Sequence, residues 1–96
     1  SGHERSDTGA VFENVCIIER IKRNSVSPGT STTPYFWRTF AQQEIDYIEV
    51  HGERIAAFEC KWNPDKKSAR PPEFAAHYPQ ASFEVITPRT LFAFAQ

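Results

Sequence analysis

Ninety-six residues provide for one domain with a modest core, and 40% hydrophobic with 14% aromatic residues exclude a disordered tail. The formal net charge of −1 excludes a strong general attraction to nucleic acid. No apolar run approaches the roughly 20 residues of a membrane span, and no export signal is recognisable, so we expect a cytoplasmic chain without a membrane partner. Cys16 and Cys60 lack a CxxC motif or a neighbouring histidine, which argues against a zinc site and a disulfide framework.

The chain begins with Ser1-Gly2-His3, which is typical of the remnant of an expression tag. We interpret residues 1–8 as tag remnant and N-terminal extension, and residues 9–96 as a single domain. Because an initiator methionine is lacking, we expect this domain to be part of a longer protein.

A first helix is predicted from Asp7 or Thr8, either of which can cap it, to about Asn24. Its apolar residues recur at helical spacing, which predicts a broad face buried against a sheet. The predicted stripe consists of Val11, Phe12, Val15, Ile18 and Lys22, widened by Ile17 and Ile21.

The remaining segments follow from turn residues, prolines and aromatic runs. We expect Tyr35 and Trp37 to pack in the core and Arg38 to lie at the surface. The predicted segments are a linker over Ser25–Pro34, a strand over Tyr35–Phe40, a turn over Ala41–Gln43, a loop over Asn63–Arg70, a short helix from Pro71 or Pro72 to His77, a strand over Ala81–Thr87, and Leu91–Ala95 as either a final strand or a docking segment.

Glu44 to Lys61 is predicted to form one β-hairpin with its turn at Gly52 and Glu53. This register places Asp46 opposite Glu59. Side chains alternate along a strand, so one face of the hairpin should be apolar near the turn and ionisable at its far end. That face consists of Glu44, Asp46, Ile48 and Val50 together with Ile55, Ala57, Glu59 and Lys61.

Two facing carboxylates roughly 5 Å apart would repel by on the order of 3 kcal/mol at an effective dielectric of about 20. A divalent cation, the ammonium group of Lys61 or a proton shared by the two acids would offset this repulsion. The alternative is that Asp46 and Glu59 are exposed carboxylates on a solvated sheet face. In that case Lys61 is a surface partner only.

The hairpin resembles the PD-(D/E)xK signature of metal-dependent nucleases, carried here by EIDYI at 44–48 and AFECK at 57–61. The resemblance implies an α/β fold with a restriction-endonuclease-like core, in which helices flank a mixed central β-sheet. It implies that Asp46 and Glu59 bind Mg²⁺ or Mn²⁺, joined by the carbonyl of Cys60. Lys61 would then activate or orient the attacking water, a role that general chemistry also supports.

A narrower resemblance spans the chain from Gly9 onward, to the C-terminal domain of unknown function of bacterial and archaeal AAA+ ATPases. This resemblance implies an N-terminal ATPase module as a partner. The present chain has no Walker A loop, so by itself it should not bind ATP. The sequence departs from the family at Gln42 and Gln43, where a glycine is common. The motifs are G-x-x-F-E-N at 9–14 with Glu19, YFWRT at 35–39, EID at 44–46, FECK at 58–61 and Tyr78-Pro79.

Related nucleases add a glutamate from the first helix, and Glu13 occupies the matching position, whereas helical periodicity places Glu19 nearer the predicted apolar stripe. We favour Glu13 as a catalytic residue, with a solvated carboxylate pairing with Arg20 as the alternative. Two functions remain open. The domain is either a magnesium-dependent phosphodiesterase acting on DNA, or a catalytically silent binding or regulatory module of the ATPase.

Overall fold

A computed structural model describes residues 7–26, 32–39, 43–65 and 68–96 of the chain. The predicted turn residues Ala41 and Gln42 lie outside these ranges, as do Lys66 and Lys67 of the predicted loop over Asn63–Arg70. The described elements are α1 (Asp7–Ser25), β1 (Thr33–Arg38), β2 (Glu44–His51), β3 (Arg54–Cys60), α2 (Pro72–His77), β4 (Ser82–Ile86) and α3 (Leu91–Ala95).

The four described strands form one mixed sheet in the order β1-β2-β3-β4. The first three strands form an antiparallel meander, and β4 runs parallel to β3 after the chain has passed through α2. Proline favours the start of α2, since Pro72 stands in its first turn where no N–H partner is needed. The architecture is therefore mixed α/β, with helices flanking a four-stranded sheet.

The predicted hairpin register is confirmed from the turn to the pair of Tyr47 and Phe58, and the predicted pair of Asp46 and Glu59 lies beyond the strand pairing. Tyr47 pairs with Phe58 and Val50 with Ile55, and the connection passes through Gly52. Gly52 has a φ of 62°, a left-handed conformation that a residue with a Cβ adopts at a cost. The turn therefore fixes which residues of β2 and β3 face each other.

Each face of the sheet carries its own core cluster, because successive residues of a strand point to opposite sides. On one side, Tyr47 and Phe58 pack with Phe94 of α3 and with α1. On the other side, Ala57 packs with Phe74 of α2. Helices therefore cover both faces of the hairpin.

The alternation of side chains along β2 is not continuous. Tyr35 pairs with Ile48 but Trp37 pairs with Ile45, so β2 takes three steps where β1 takes two. Ile45 consequently packs in the same cluster as Ile48. The prediction of one uninterrupted face from Glu44 to Val50 is wrong, because this bulge reverses the direction of side chains at the start of β2.

The helix α1 has nearly the predicted bounds but turns a different face to the sheet. Phe12 and Cys16 are buried, whereas Val11, Val15 and Ile18 are exposed. The predicted buried stripe is therefore wrong for its three β-branched members. The residues that replace them on the inner side include Arg20, which donates a hydrogen bond to Glu49 of β2.

Two predictions at the edges of the fold also need correction. β1 begins at Thr33. Tyr35 is exposed, against the prediction, because β1 is an edge strand. Trp37 is half-buried, as part of the core, and packs edge-to-face on Phe74. Leu91–Ala95 is a helix and not a strand. It does serve as a docking segment, since Phe94 packs against Phe58.

Candidate functional site

Two hydrogen bonds between side chain and backbone link Asp46 on β2 to Glu59 and Cys60 on β3. The N–H of Asp46 donates to Oε1 of Glu59 at 3.2 Å, and the N–H of Cys60 donates to Oδ2 of Asp46 at 3.0 Å. The backbone pairing of β2 and β3 ends just before this point, at Tyr47 and Phe58. The two carboxylates thus satisfy N–H groups where the strands separate, and this fixes their positions.

Both acids are buried, with 8% of Asp46 and 6% of Glu59 exposed. The alternative of two solvated surface carboxylates is therefore wrong. Burial raises the pKa of Glu59, and the negative charge of Asp46 and a hydrogen bond to its carboxyl group raise it further. The pair therefore favours a proton or a cation between the two groups.

Lys61 lies beside this carboxylate pair. Its Nζ is 3.6 Å from Oε2 of Glu59, and its side chain is largely buried. Its backbone N–H donates to the carbonyl of Ile86 on β4, which extends the parallel pairing beyond the end of β3. The lysine is therefore held at the junction of three strands with its ammonium group next to the acids.

Glu19 is the predicted candidate that the structure separates from the carboxylates. Glu19 pairs with Lys22 at 3.4 Å on the solvent side of α1, so it does not join the carboxylates. Glu13 is half-buried on α1, and its predicted role remains a prediction. The same holds for the carbonyl of Cys60. Within residues 7–26, 32–39, 43–65 and 68–96, no group of three His, Cys, Asp or Glu side chains is placed to hold a metal ion.

The two cysteines, which the sequence left separate, are in contact. Cys16 of α1 and Cys60 of β3 are both buried free thiols, and their side chains hydrogen-bond to each other. This bond and burial raise the pKa of Cys60. No local sequence motif predicts this contact, because it depends on how α1 packs against β3.

A second buried acid on the same hairpin was also missed. The guanidinium group of Arg20 donates to both carboxylate oxygens of Glu49, from Nε at 2.6 Å and from Nη2 at 3.1 Å, and Asn24 donates to the same carboxylate at 2.9 Å. Arg20 also donates to the carbonyl of Phe94 and stacks on its ring. Arg20 is thereby held between Glu49 and α3, and its pairing with Glu13 stays a prediction.

One sequence signal for the network exists in retrospect. Phe12, Cys16, Arg20 and Asn24 follow one another at intervals of four residues, which places them along one line of the helix. Hydropathy alone would not select this line as the buried face of α1, because two of its members are polar. Their burial becomes favourable only when Glu49, far away in sequence, supplies the hydrogen-bond acceptors.

These observations define a small mixed α/β domain with a buried carboxylate pair and an adjacent lysine. A family model described as Domain of unknown function (DUF4143) matches residues 8–92 of the 96-residue chain. The chain therefore belongs to this family. No curated protein and no solved structure matched the chain. None of the described helices is long and apolar enough to cross a membrane.

Proposed function

We propose that this chain is the C-terminal, restriction-endonuclease-like domain of an AAA+ ATPase, and that it hydrolyses DNA phosphodiester bonds with Mg²⁺ or Mn²⁺. The observation that carries the proposal is the buried pair of Asp46 and Glu59, bonded to each other's strands, with Lys61 3.6 Å from Glu59. Two buried acids beside one ammonium group are an unfavourable arrangement for stability alone. Such an arrangement is typical of a catalytic site.

The donor set suits a hard cation. Carboxylate oxygens are the ligands that Mg²⁺ prefers, and this ion usually keeps several waters, so two protein carboxylates suffice with the Cys60 carbonyl as a further ligand. Asp46 and Glu59 would hold the ion. When bound, it would lower the pKa of a bound water and neutralise charge on the phosphate. The raised pKa of Glu59 supports this reading, because a cation would replace the proton that the pair otherwise favours.

Lys61 would act on the substrate and not on the fold. Its ammonium group can neutralise charge that develops on a phosphate oxygen during attack by water, or hold that water by a hydrogen bond. Glu13 would assist from α1 if this helix turns its carboxylate toward the acids. The chain itself carries a net charge of −1 and therefore attracts DNA only weakly. A site of this kind would act on a DNA strand that is delivered to it.

A catalytically silent binding or regulatory module of the ATPase is the second candidate function. The same net charge favours it, as does the lack of a third ligating side chain among the described residues. In this case the carboxylate pair would be retained without turnover. The module would then engage its own ATPase or another protein.

Metal binding separates the two candidates. Isothermal titration of Mg²⁺ and Mn²⁺ into the chain should show saturable binding that is lost in Asp46→Asn. Binding should weaken as the pH falls, because protons compete with the cation for Glu59, whose pKa is raised by burial and by Asp46. Glu84→Gln is the matched control, since Glu84 is an exposed acid on β4 of the same sheet. Flat titrations for the unmodified chain would support the silent module.

Cleavage of plasmid and branched DNA tests the catalytic step. Asp46→Asn should lose both metal binding and cleavage, whereas Lys61→Met should keep metal binding and lose cleavage. Cleavage that survives in Lys61→Met would contradict the role assigned to this lysine. Metal binding without cleavage in the unmodified chain would leave the regulatory function as the better account.

A further inference from the structure

The outer face of α1 carries a row of side chains that stay exposed among the described parts of the chain. Val11, Val15 and Ile18 are 61%, 40% and 53% exposed, and an exposed acid and an exposed base continue the row at its two ends. We name this row the outer stripe. It consists of Asp7, Val11, Val15, Ile18 and Lys22.

Single exposed apolar residues are common on protein surfaces, but an aligned row of them marks an interaction site. The residues of the outer stripe follow at intervals of four, four, three and four, which is the spacing of one helix face. Ile21, which is also exposed, widens its apolar part. The helix is thus apolar on two sides, and the sheet covers only one of them.

We propose that the outer stripe pairs with the outer stripe of a second copy of this chain, with the two α1 helices antiparallel about a twofold axis at Val15. Val11 stands four residues before Val15 and Ile18 three residues after it. In an antiparallel pair these two therefore lie at nearly the same level, one from each copy, since one residue advances a helix by about 1.5 Å. Asp7 and Lys22, eight residues before and seven after Val15, meet in the same way.

The charges of α1 select this partner and this direction. The helix has an acid in its first turn and bases in its last turn. A parallel pair would bring Asp7 against Asp7 and Lys22 against Lys22, whereas the antiparallel pair brings opposite charges together at both ends and also opposes the two helix dipoles. Lys22 lies 3.4 Å from Glu19 of its own helix, but this pair is solvent-exposed and weak. Lys22 can therefore also reach the second copy's Asp7.

The stripe is self-complementary, as a twofold interface must be, because every contact between two positions occurs twice. A single pair of 19-residue helices buries less than the roughly 1,600 Å² of a standard interface. We therefore expect a weak dimer that dissociates in the micromolar range or above. The proposal does not depend on the metal site, so Lys61→Met should associate like the unmodified chain.

Sedimentation velocity over roughly 5 µM to 1 mM protein measures this association. Asp7→Lys and Lys22→Glu each place like charges at both ends of the homodimer, so each should weaken dimerisation by about ten-fold. An equimolar mixture of the two variants restores both opposite-charge contacts, and its heterodimer should regain the affinity of the unmodified chain. A mixture that stays as weak as its components would overturn the antiparallel register.

The apolar centre is tested separately. Val15→Glu places two carboxylates near the axis and should abolish dimerisation, while far-UV circular dichroism should stay unchanged because glutamate is a good helix former at an exposed position. Phe92→Glu is the matched control, since Phe92 is an apolar residue on α3, outside the stripe, and is more exposed than Val15. Monomeric behaviour of the unmodified chain at every concentration, or equal loss in Phe92→Glu, would overturn the proposal.

Discussion

Two buried glutamates on the β2–β3 hairpin have opposite surroundings. Glu49 accepts hydrogen bonds from Arg20 and Asn24, so that its negative charge is matched by a bidentate cation. Glu59 instead faces Asp46, another acid, and Nζ of Lys61 lies 3.6 Å from its carboxylate. The two glutamates are about equally buried, but Glu49 is held by a bidentate cation whereas Glu59 faces another acid.

The pKa values of the two glutamates move in opposite directions for this reason. Burial by itself raises the pKa of Glu49, but hydrogen bonds from Arg20 and Asn24 and the charge of Arg20 outweigh burial and lower it. Burial raises the pKa of Glu59, and Asp46 adds to the increase. The comparison separates a carboxylate that stabilises the fold from one that is available for binding and chemistry.

The largest effect is expected for Glu49→Gln. This change removes the negative charge and leaves the largely buried guanidinium group of Arg20 without its partner. Breaking a buried ion pair from one side costs about 3 kcal/mol or more, so the free energy of unfolding in urea should fall by about that amount. A loss below about 1 kcal/mol would mean that the pair is screened like a surface salt bridge, and the contrast with Glu59 would disappear.

The same substitution at the other glutamate should have the opposite sign. Glu59→Gln keeps an oxygen to accept the N–H of Asp46 but removes the repulsion between two buried carboxylates. We expect a gain of about 1 kcal/mol in the free energy of unfolding at neutral pH without metal. A loss of stability in the same urea experiment would show that Glu59 is as well compensated as Glu49.

The contrast explains which parts of the structure could be predicted from the sequence. The hairpin register from His51–Arg54 to Tyr47–Phe58 was predictable because Gly52 fixes the turn, and the turn fixes the pairs that follow it. Asp46 and Glu59 lie beyond the last of these pairs, where side chain–backbone hydrogen bonds link the two strands. The bulge at the start of β2 was not predictable, because it depends on the pairing of β2 with β1.

The inner face of α1 could not be predicted for a physical reason of the same kind. Arg20 is buried only because Glu49 accepts its hydrogen bonds, and the two residues are 29 positions apart. Hydropathy within the helix therefore selects the wrong face. The five residues of α3 were ambiguous as well, because so short an apolar segment shows neither a helical nor a strand period.

A smaller effect is expected in the pH dependence of the two variants. The folded-state pKa of Glu59 is raised, so its stabilising contribution is present below pH 4.5 and is lost as the pH rises through its folded pKa. The gain in Glu59→Gln should therefore grow above pH 4.5 and vanish below it. For Glu49, whose pKa is lowered, the contribution is present above pH 4.5 and lost on acidification, so the deficit of Glu49→Gln should shrink below pH 4.5.

Urea unfolding at a series of pH values from roughly 3 to 8 measures both differences against the unmodified chain. Glu84→Gln serves as the control, since this exposed acid on the same sheet should give a flat difference. A gain in Glu59→Gln that is independent of pH would mean that it arises from packing and not from the ionisation of Glu59.

The smallest effect is expected for Lys61→Met. Nζ of Lys61 lies 3.6 Å from Oε2 of Glu59, which is long for an ion pair. We expect the free energy of unfolding to change by less than about 1 kcal/mol. Arg20→Met is the matched change in the other cluster and should cost about 3 kcal/mol. If the two substitutions cost the same, Lys61 is a structural partner of Glu59, and the strongest argument for a role of this lysine in catalysis is lost.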